Sequence, residues 1–152
     1  MALAPRLFQY VSLGFFHTMG TRLIAGRELT WTDVYRERKF ALVSENLARE
    51  LWGTPAAALH KRFRGPVSQW WEVIGVVQDV RENGIDQKAP PTVYWPTLTS
   101  NIGGPGPALD AIRTATFAIR SDRAGRKGFL DQVQRAVWSV NSELPVATVR
   151  TM

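Results

Sequence analysis

Trp71-Glu72-Val73-Ile74-Gly75-Val76-Val77-Gln78-Asp79-Val80-Arg81 opens with the most apolar segment of the chain, Trp71 to Val77. Its length and its Val and Ile content point to a strand at the centre of a sheet, buried on both faces. The strand is expected to run on into Asp79-Val80-Arg81. Trp70 and Trp71 are neighbours at its start, and strand neighbours face opposite sides. One indole should therefore enter the core and the other should face outward.

Working upstream, Phe40-Ala41-Leu42-Val43 reads as a second buried strand. Ser44 is an N-cap candidate, and Leu47, Ala48, Leu51 and Trp52 form one stripe of the helix that follows. Gly53 and Pro55 end it. Lys61 to Arg64 reads as a short strand and Gly65-Pro66 as a turn. Downstream, Glu82-Asn83-Gly84 is a turn signal. Thr92 to Trp95 is a strand that Pro90, Pro91 and Pro96 keep short or at an edge.

The two ends of the chain each read as strand, helix, strand. At the start, Arg6 to Val11 alternates, Ser12 offers an N-cap, and Phe15, Phe16 and Met19 recur at helical spacing up to Gly20. Arg22 to Ala25 is a strand that stops at Gly26. At the far end, Thr116 to Arg120 alternates, and Gly125 to Asn141 carries Phe129, Val133, Ala136, Val137 and Val140 on one helical face. Val146 to Arg150 is a last strand. Asp33 to Lys39 is charged and reads as a loop or solvated face. Asn101 to Pro107, with Gly103, Gly104, Pro105, Gly106 and Pro107, reads as an irregular loop.

The fold class expected is α+β, two-lobed. Residues 1–26 and 116–152, the two strand–helix–strand units, would join into one lobe. Residues 27–115 would form an inserted strand-rich lobe. The length of 152 residues suits one domain or two small lobes sharing a core.

The chain carries 19 Lys and Arg against 13 Asp and Glu, a net charge of +6. Such a balance suits nucleic acid or an anionic membrane surface. Here the basic residues are dispersed and no nucleic-acid motif accompanies them, so no nucleic-acid partner is expected. With no cysteine, disulfides and thiolate metal sites are excluded. No apolar stretch reaches the ~20 residues of a spanning helix.

Catalytic constellations are not found. His17 and His60 lack the spacing of paired helical ligands. The loop at Gly103, Gly104 and Gly106 lacks the Lys and the helix start of a phosphate loop. Ser44 has no Gly-x-Ser-x-Gly frame. Asp79, Glu82, Asp86 and Asp110 are scattered. The expectation is no enzyme, no metal and no cofactor. A partner surface is the remaining candidate, at Trp70, Trp71, Gly103, Gly104 and Gly106, where an outward Trp would anchor a contact.

Several segments resemble a known family in their order and spacing. They are Val11 to Gly20, Leu23 to Leu29, Ala41-Leu42-Val43-Ser44-Glu45-Asn46-Leu47-Ala48-Arg49, His60-Lys61-Arg62-Phe63, Trp71 to Arg81, Pro91 to Pro96 and Leu144 to Met152. Together they are similar to the MacB-like periplasmic core domain of FtsX/MacB-type ABC transporter permeases, of the kind found in multiples in Acidobacteria-like genomes. Three departures are His60, where Gly is common, the Gly/Pro loop at 103–107, and the absence upstream of the first strand expected of such a domain, which would leave the N-terminal part of its lobe incomplete. The resemblance implies a porter-like lobe built from both chain ends, with the inserted lobe between. It implies a domain on the periplasmic or extracytoplasmic side, with membrane helices just before Met1 and just after Met152 and the two chain ends close together. It further implies that ATP-driven motion from a cytoplasmic ABC ATPase subunit or domain is transmitted to cargo or to a periplasmic adaptor, as in efflux, with pairing of two copies in the full-length protein. The alternative is a ligand- or partner-binding receptor module of the cell envelope without a transport role.

Overall fold

The computed structural model describes residues 7–65, 69–81, 84, 86–100, 109–111 and 116–146. The elements run β1 (Leu7–Val11), α1 (Phe15–Met19), β2 (Leu23–Gly26), α2 (Trp31–Tyr35), β3 (Phe40–Ser44), α3 (Glu45–Trp52), α4 (Pro55–Ala58), β4 (Arg62–Arg64), β5 (Trp70–Val77), β6 (Thr92–Pro96), β7 (Leu98–Ser100), β8 (Leu109–Ala111) and α5 (Phe129–Val140). The class is α+β.

Six strands form one mixed sheet in the order β1-β6-β3-β5-β2, with β4 also on β5. β1 is parallel to β6, and β3 is parallel to β5. β6 is antiparallel to β3, and β2 and β4 are antiparallel to β5. β7 and β8 make a separate antiparallel pair.

The expected central strand is β5. It has partners on both sides, and Trp71, Val73, Ile74, Val76 and Val77 are all buried. Continuous apolar sequence is what a strand with two covered faces requires. One face packs Ala41, Val43, Val73, Val76 and Val93 against Leu47 and Ala48 of α3, Ala58 of α4, and Phe63, Trp71 and Trp95. The other packs Val11, Leu42, Ile74, Val77 and Tyr94 against Phe16 of α1 and Leu29. Gly75 is needed where the chain leaving β2 and the Leu42 side chain approach β5 closely. A Cβ there would lie 2.4 Å from the Arg27 carbonyl oxygen and 2.9 Å from Leu42 Cδ2.

Several expectations are corrected. Asp33 to Lys39 is not all loop: Trp31–Tyr35 is a one-turn helix closed by a capping box, with Thr30 and Asp33 each accepting from the other's backbone N–H. The N-cap of α1 is Gly14, not Ser12, whose carbonyl accepts from Phe15 N–H. Pro55 does not simply stop α3; it begins α4, where Thr54 accepts from Ala57 N–H. β5 ends at Val77, and Asp79 to Arg81 are not strand. β6 is short, as its flanking prolines require, but it lies inside the sheet between β1 and β3. Thr116 to Arg120 is irregular and exposed, with Phe117 83% accessible, because it has no strand to pair with among the described residues.

The hydrogen bonding also crosses the boundary expected at residue 26. β1 pairs with β6 and β2 with β5, so both N-terminal strands belong to the sheet of the middle segment. Most of the last expected strand, residues 147–150, and the chain ends lie outside the described residues.

The chain divides into two compact units, Met1–Ala118 and Ile119–Met152. The second contains α5, whose N-cap is Gly128. Phe129, Val133 and Val137 are half-buried, whereas Ala136 and Val140 are exposed. Within that unit Trp138 Nε1 donates to the Leu144 carbonyl at 3.1 Å. No helix among the described residues is long and apolar enough to cross a membrane.

Candidate functional site

Strand direction gives the sheet two distinct ends. At one, β1 and β6 begin while β3 and β5 finish; at the other, β3 and β5 begin and β4 finishes.

The first end carries an open polar cleft of about 500 Å³ lined by Glu45, Asn46, Gln78, Asp79, Arg81, Lys88 and Ala89. Its wall is a hydrogen-bond relay. Thr92 N–H donates to Ser44 Oγ at 2.8 Å, and Ser44 Oγ donates to Asn46 Oδ1 at 2.6 Å. Asn46 Nδ2 donates to the Ala89 carbonyl at 2.7 Å, and Asn46 N–H donates to Asp79 Oδ1 at 2.9 Å. Ser44 thus occupies the N-cap position without capping α3 through its side chain. Asp79, which is distant in sequence, accepts the orphan amide instead. Glu45 holds Arg49 across one helical turn at 2.7 Å. Of the cleft groups, Asn46, Asp79 and the Ala89 carbonyl are engaged in bonds that tie α3 to the segments after β5.

The second end carries the tryptophans. Trp71 is 3% accessible and Trp70 is 50% accessible, which separates the pair across the sheet as the strand period demands. Trp71 packs edge-on against Trp95 at 4.5 Å between centroids, beside Phe63. Gly65 permits that packing: a Cβ there would meet Trp71 Cδ1 at 2.6 Å and Trp95 Cη2 at 2.8 Å. Lys39 Nζ lies 5.3 Å from the Trp71 ring, and burial holds its ammonium below the ordinary lysine range, opposed by Glu37. Trp70 turns outward under the Arg64 guanidinium, 5.3 Å from its ring centroid. Of the five residues singled out in the sequence, Trp70 and Trp71 are placed here. Gly103, Gly104 and Gly106 lie outside the described residues.

A second aromatic pair was missed in the sequence. Trp31 and Tyr35, 55% and 79% accessible, stack at 5.9 Å between centroids on α2. Asp33 locks that turn in place. Its oxygens accept from Arg27 Nη1 at 2.6 Å and Nη2 at 3.0 Å, and from Thr30. The Arg27 hydrogen bonds are the main cause holding the Asp33 carboxyl at about 2, against burial that pushes it up. The Thr30-x-x-Asp33 spacing was the available signal.

His17 is exposed, and His60 Nδ1 lies 2.9 Å from Glu72 Oε1. Among the described residues no three His, Cys, Asp or Glu side chains gather closely enough to hold a metal ion. Of the scattered carboxylates, Asp79 is used in the relay and Asp86 is exposed. Glu82 and the Asp110 side chain lie outside the described residues.

No family model and no curated protein matches this sequence. Solved structures do. The chain is similar to the periplasmic region of MacB from Actinobacillus actinomycetemcomitans, with 25% identity, 56% of this chain and 35% of that one covered, and a TM-score of 0.42. It is similar to the extracellular domain of the noncanonic ABC-type transporter YknZ from Gram-positive bacteria, with 21% identity, 59% and 42% covered, and a TM-score of 0.45. A domain described as a permease protein from Porphyromonas gingivalis gives 24% identity, 60% and 39% covered, and a TM-score of 0.43. The alignments thus span well under half of each of these chains.

Proposed function

We propose that this chain is the extracytoplasmic domain of an ABC-transporter permease, joined to membrane helices outside this sequence. In this reading it relays ATP-driven motion from a cytoplasmic ATPase to cargo or a partner protein, and itself catalyses no reaction. The observation that carries the proposal is the way the resembling segments meet. Ala41 to Arg49 forms β3 and the start of α3, Trp71 to Arg81 forms β5 and its exit, and Pro91 to Pro96 leads into β6. Asn46 N–H bonds to Asp79 and Thr92 N–H to the Ser44 hydroxyl, so these segments meet at one corner of the sheet. Their shared order therefore has a structural meaning as one scaffold. A domain that relays force needs a rigid sheet of this kind rather than a reactive pocket.

The absence of cysteine from this chain permits a direct test. Thr32, an exposed residue of α2, is replaced by cysteine in the full-length protein, and spheroplasts are treated with a membrane-impermeant maleimide. The expected outcome is labelling in intact spheroplasts above the unsubstituted protein, at a rate that changes when the partner ATPase is trapped with a non-hydrolysable nucleotide. Labelling that appears only after lysis would overturn the proposed location. Labelling that never responds to nucleotide would overturn the relay.

A further inference from the structure

The sheet end where β3 and β5 begin gathers aromatic and cationic side chains on one side. β4 sets Arg64 opposite Trp70 and Arg62 opposite Glu72, and β3 sets Phe40 opposite Glu72. Alternation along the strand puts Trp70 and Glu72 on the face opposite buried Trp71. Arg27 lies over the Phe40 ring at 5.5 Å and is held by Asp33, so α2 with its exposed Trp31 and Tyr35 is anchored beside this same face. The Lys39 carbonyl accepts from Glu72 N–H, which brings the Arg38-Lys39 pair level with the start of β5.

We infer that this surface, centred on Trp70 and flanked by Arg64, Arg62 and Arg38, docks an acidic polypeptide segment of a partner protein. Trp, Tyr and Arg are the residue types that dominate the energetics of protein interfaces. Here a half-buried indole lies under a guanidinium, and the α2 aromatics sit on a turn already ordered by a capping box and a two-pronged ion pair. The backbone that presents these rings is therefore already ordered before a partner binds. Charge selects the partner class. Arg62 and Arg64 lie on this face by register, with Arg38 next to its start, against the carboxylate of Glu72, which His60 already contacts. Guanidinium forks match carboxylates in two-bond geometry, which an acidic segment supplies repeatedly. The inference is independent of the transport role, because it concerns a surface of this chain alone.

The test uses the isolated chain and a labelled synthetic peptide of alternating glutamate and leucine, titrated at low salt and followed by anisotropy and Trp emission. Saturable binding that weakens as salt rises is expected. Trp70→Ala and Arg64→Glu are each expected to weaken it about tenfold or more. Arg81→Glu combined with Lys88→Glu, a larger charge change at the opposite end of the sheet, is expected to leave it within about twofold. Far-UV circular dichroism checks that each variant is folded, and if Trp70→Ala is not, the surface pair Arg38→Glu with Arg64→Glu decides. No binding at low salt, or equal loss from both ends of the sheet, overturns the proposal. Trp70-dependent binding to phosphatidylglycerol vesicles or duplex DNA that is tighter than to the peptide also overturns it, in favour of those partners.

Discussion

Asp33 shows how one buried carboxylate can organise a surface. It accepts from Arg27, from the Thr30 hydroxyl and from the Thr30 backbone N–H, and its pKa is about 2 against an ordinary 3.8. The folded value lies below the unfolded one. The stabilisation is therefore complete above about pH 4 and is lost as pH falls towards 2. Because Arg27 is half-exposed, water screens part of the interaction, and Asp33→Asn is expected to cost only about 1–2 kcal/mol at pH 7. Urea midpoints measured from pH 7 downward should converge for the two proteins at the acid end; a constant gap would contradict the assignment. His60 is the other telling residue. Its φ of 62° lies in the left-handed region where glycine is at ease, so a non-glycine residue there carries backbone strain. The side chain gains a contact with Glu72 in return.

At the scale of elements, legibility followed length and packing. β3, α3 and β5 were readable because their apolar periods are long and clean. The one-turn helix α2 was not, because five residues give no period and the charged run Arg36 to Lys39 follows it directly. The cap of α3 was assigned to Ser44, the local candidate, whereas the amide is taken by Asp79 from beyond β5. Such a bond is invisible to local spacing. The Asn46 side chain accepts from the Ser44 hydroxyl and Leu47 N–H and donates to the Ala89 carbonyl, so Asn46→Ala strands these groups at once while its backbone bond to Asp79 remains. The expected loss is about 2 kcal/mol, with faster exchange of the Thr92 amide, which bonds to the Ser44 hydroxyl that Asn46 orients. An unchanged Thr92 exchange rate would show that Ser44 holds its place without Asn46.

Across the whole molecule, every strand of the six-stranded sheet and both apolar clusters fall within residues 7–96. No residue of α5 is buried, and a 12-residue helix is marginal on its own in water. A fragment of residues 1–118 is therefore expected to keep a cooperative thermal transition and the β-rich spectrum of the full chain. Loss of that transition would mean that residues 119–152 complete the sheet's core after all.

The division of information is visible in Trp70 and Trp71. Sequence alone determined that the two rings part across β5, since alternation is a property of any extended chain. It also determined the α+β class, the central position of β5 and the helical stripe of α3, all of which follow from local periodicity. Tertiary structure alone decided that β1 and β2 join the sheet of the middle segment, that Asp79 caps α3, and that Trp70 shares a face with Arg64 and, through Phe40 and Arg27, with α2. Strand order and cross-sheet neighbours depend on which apolar faces can be buried together, and no local spacing encodes that choice.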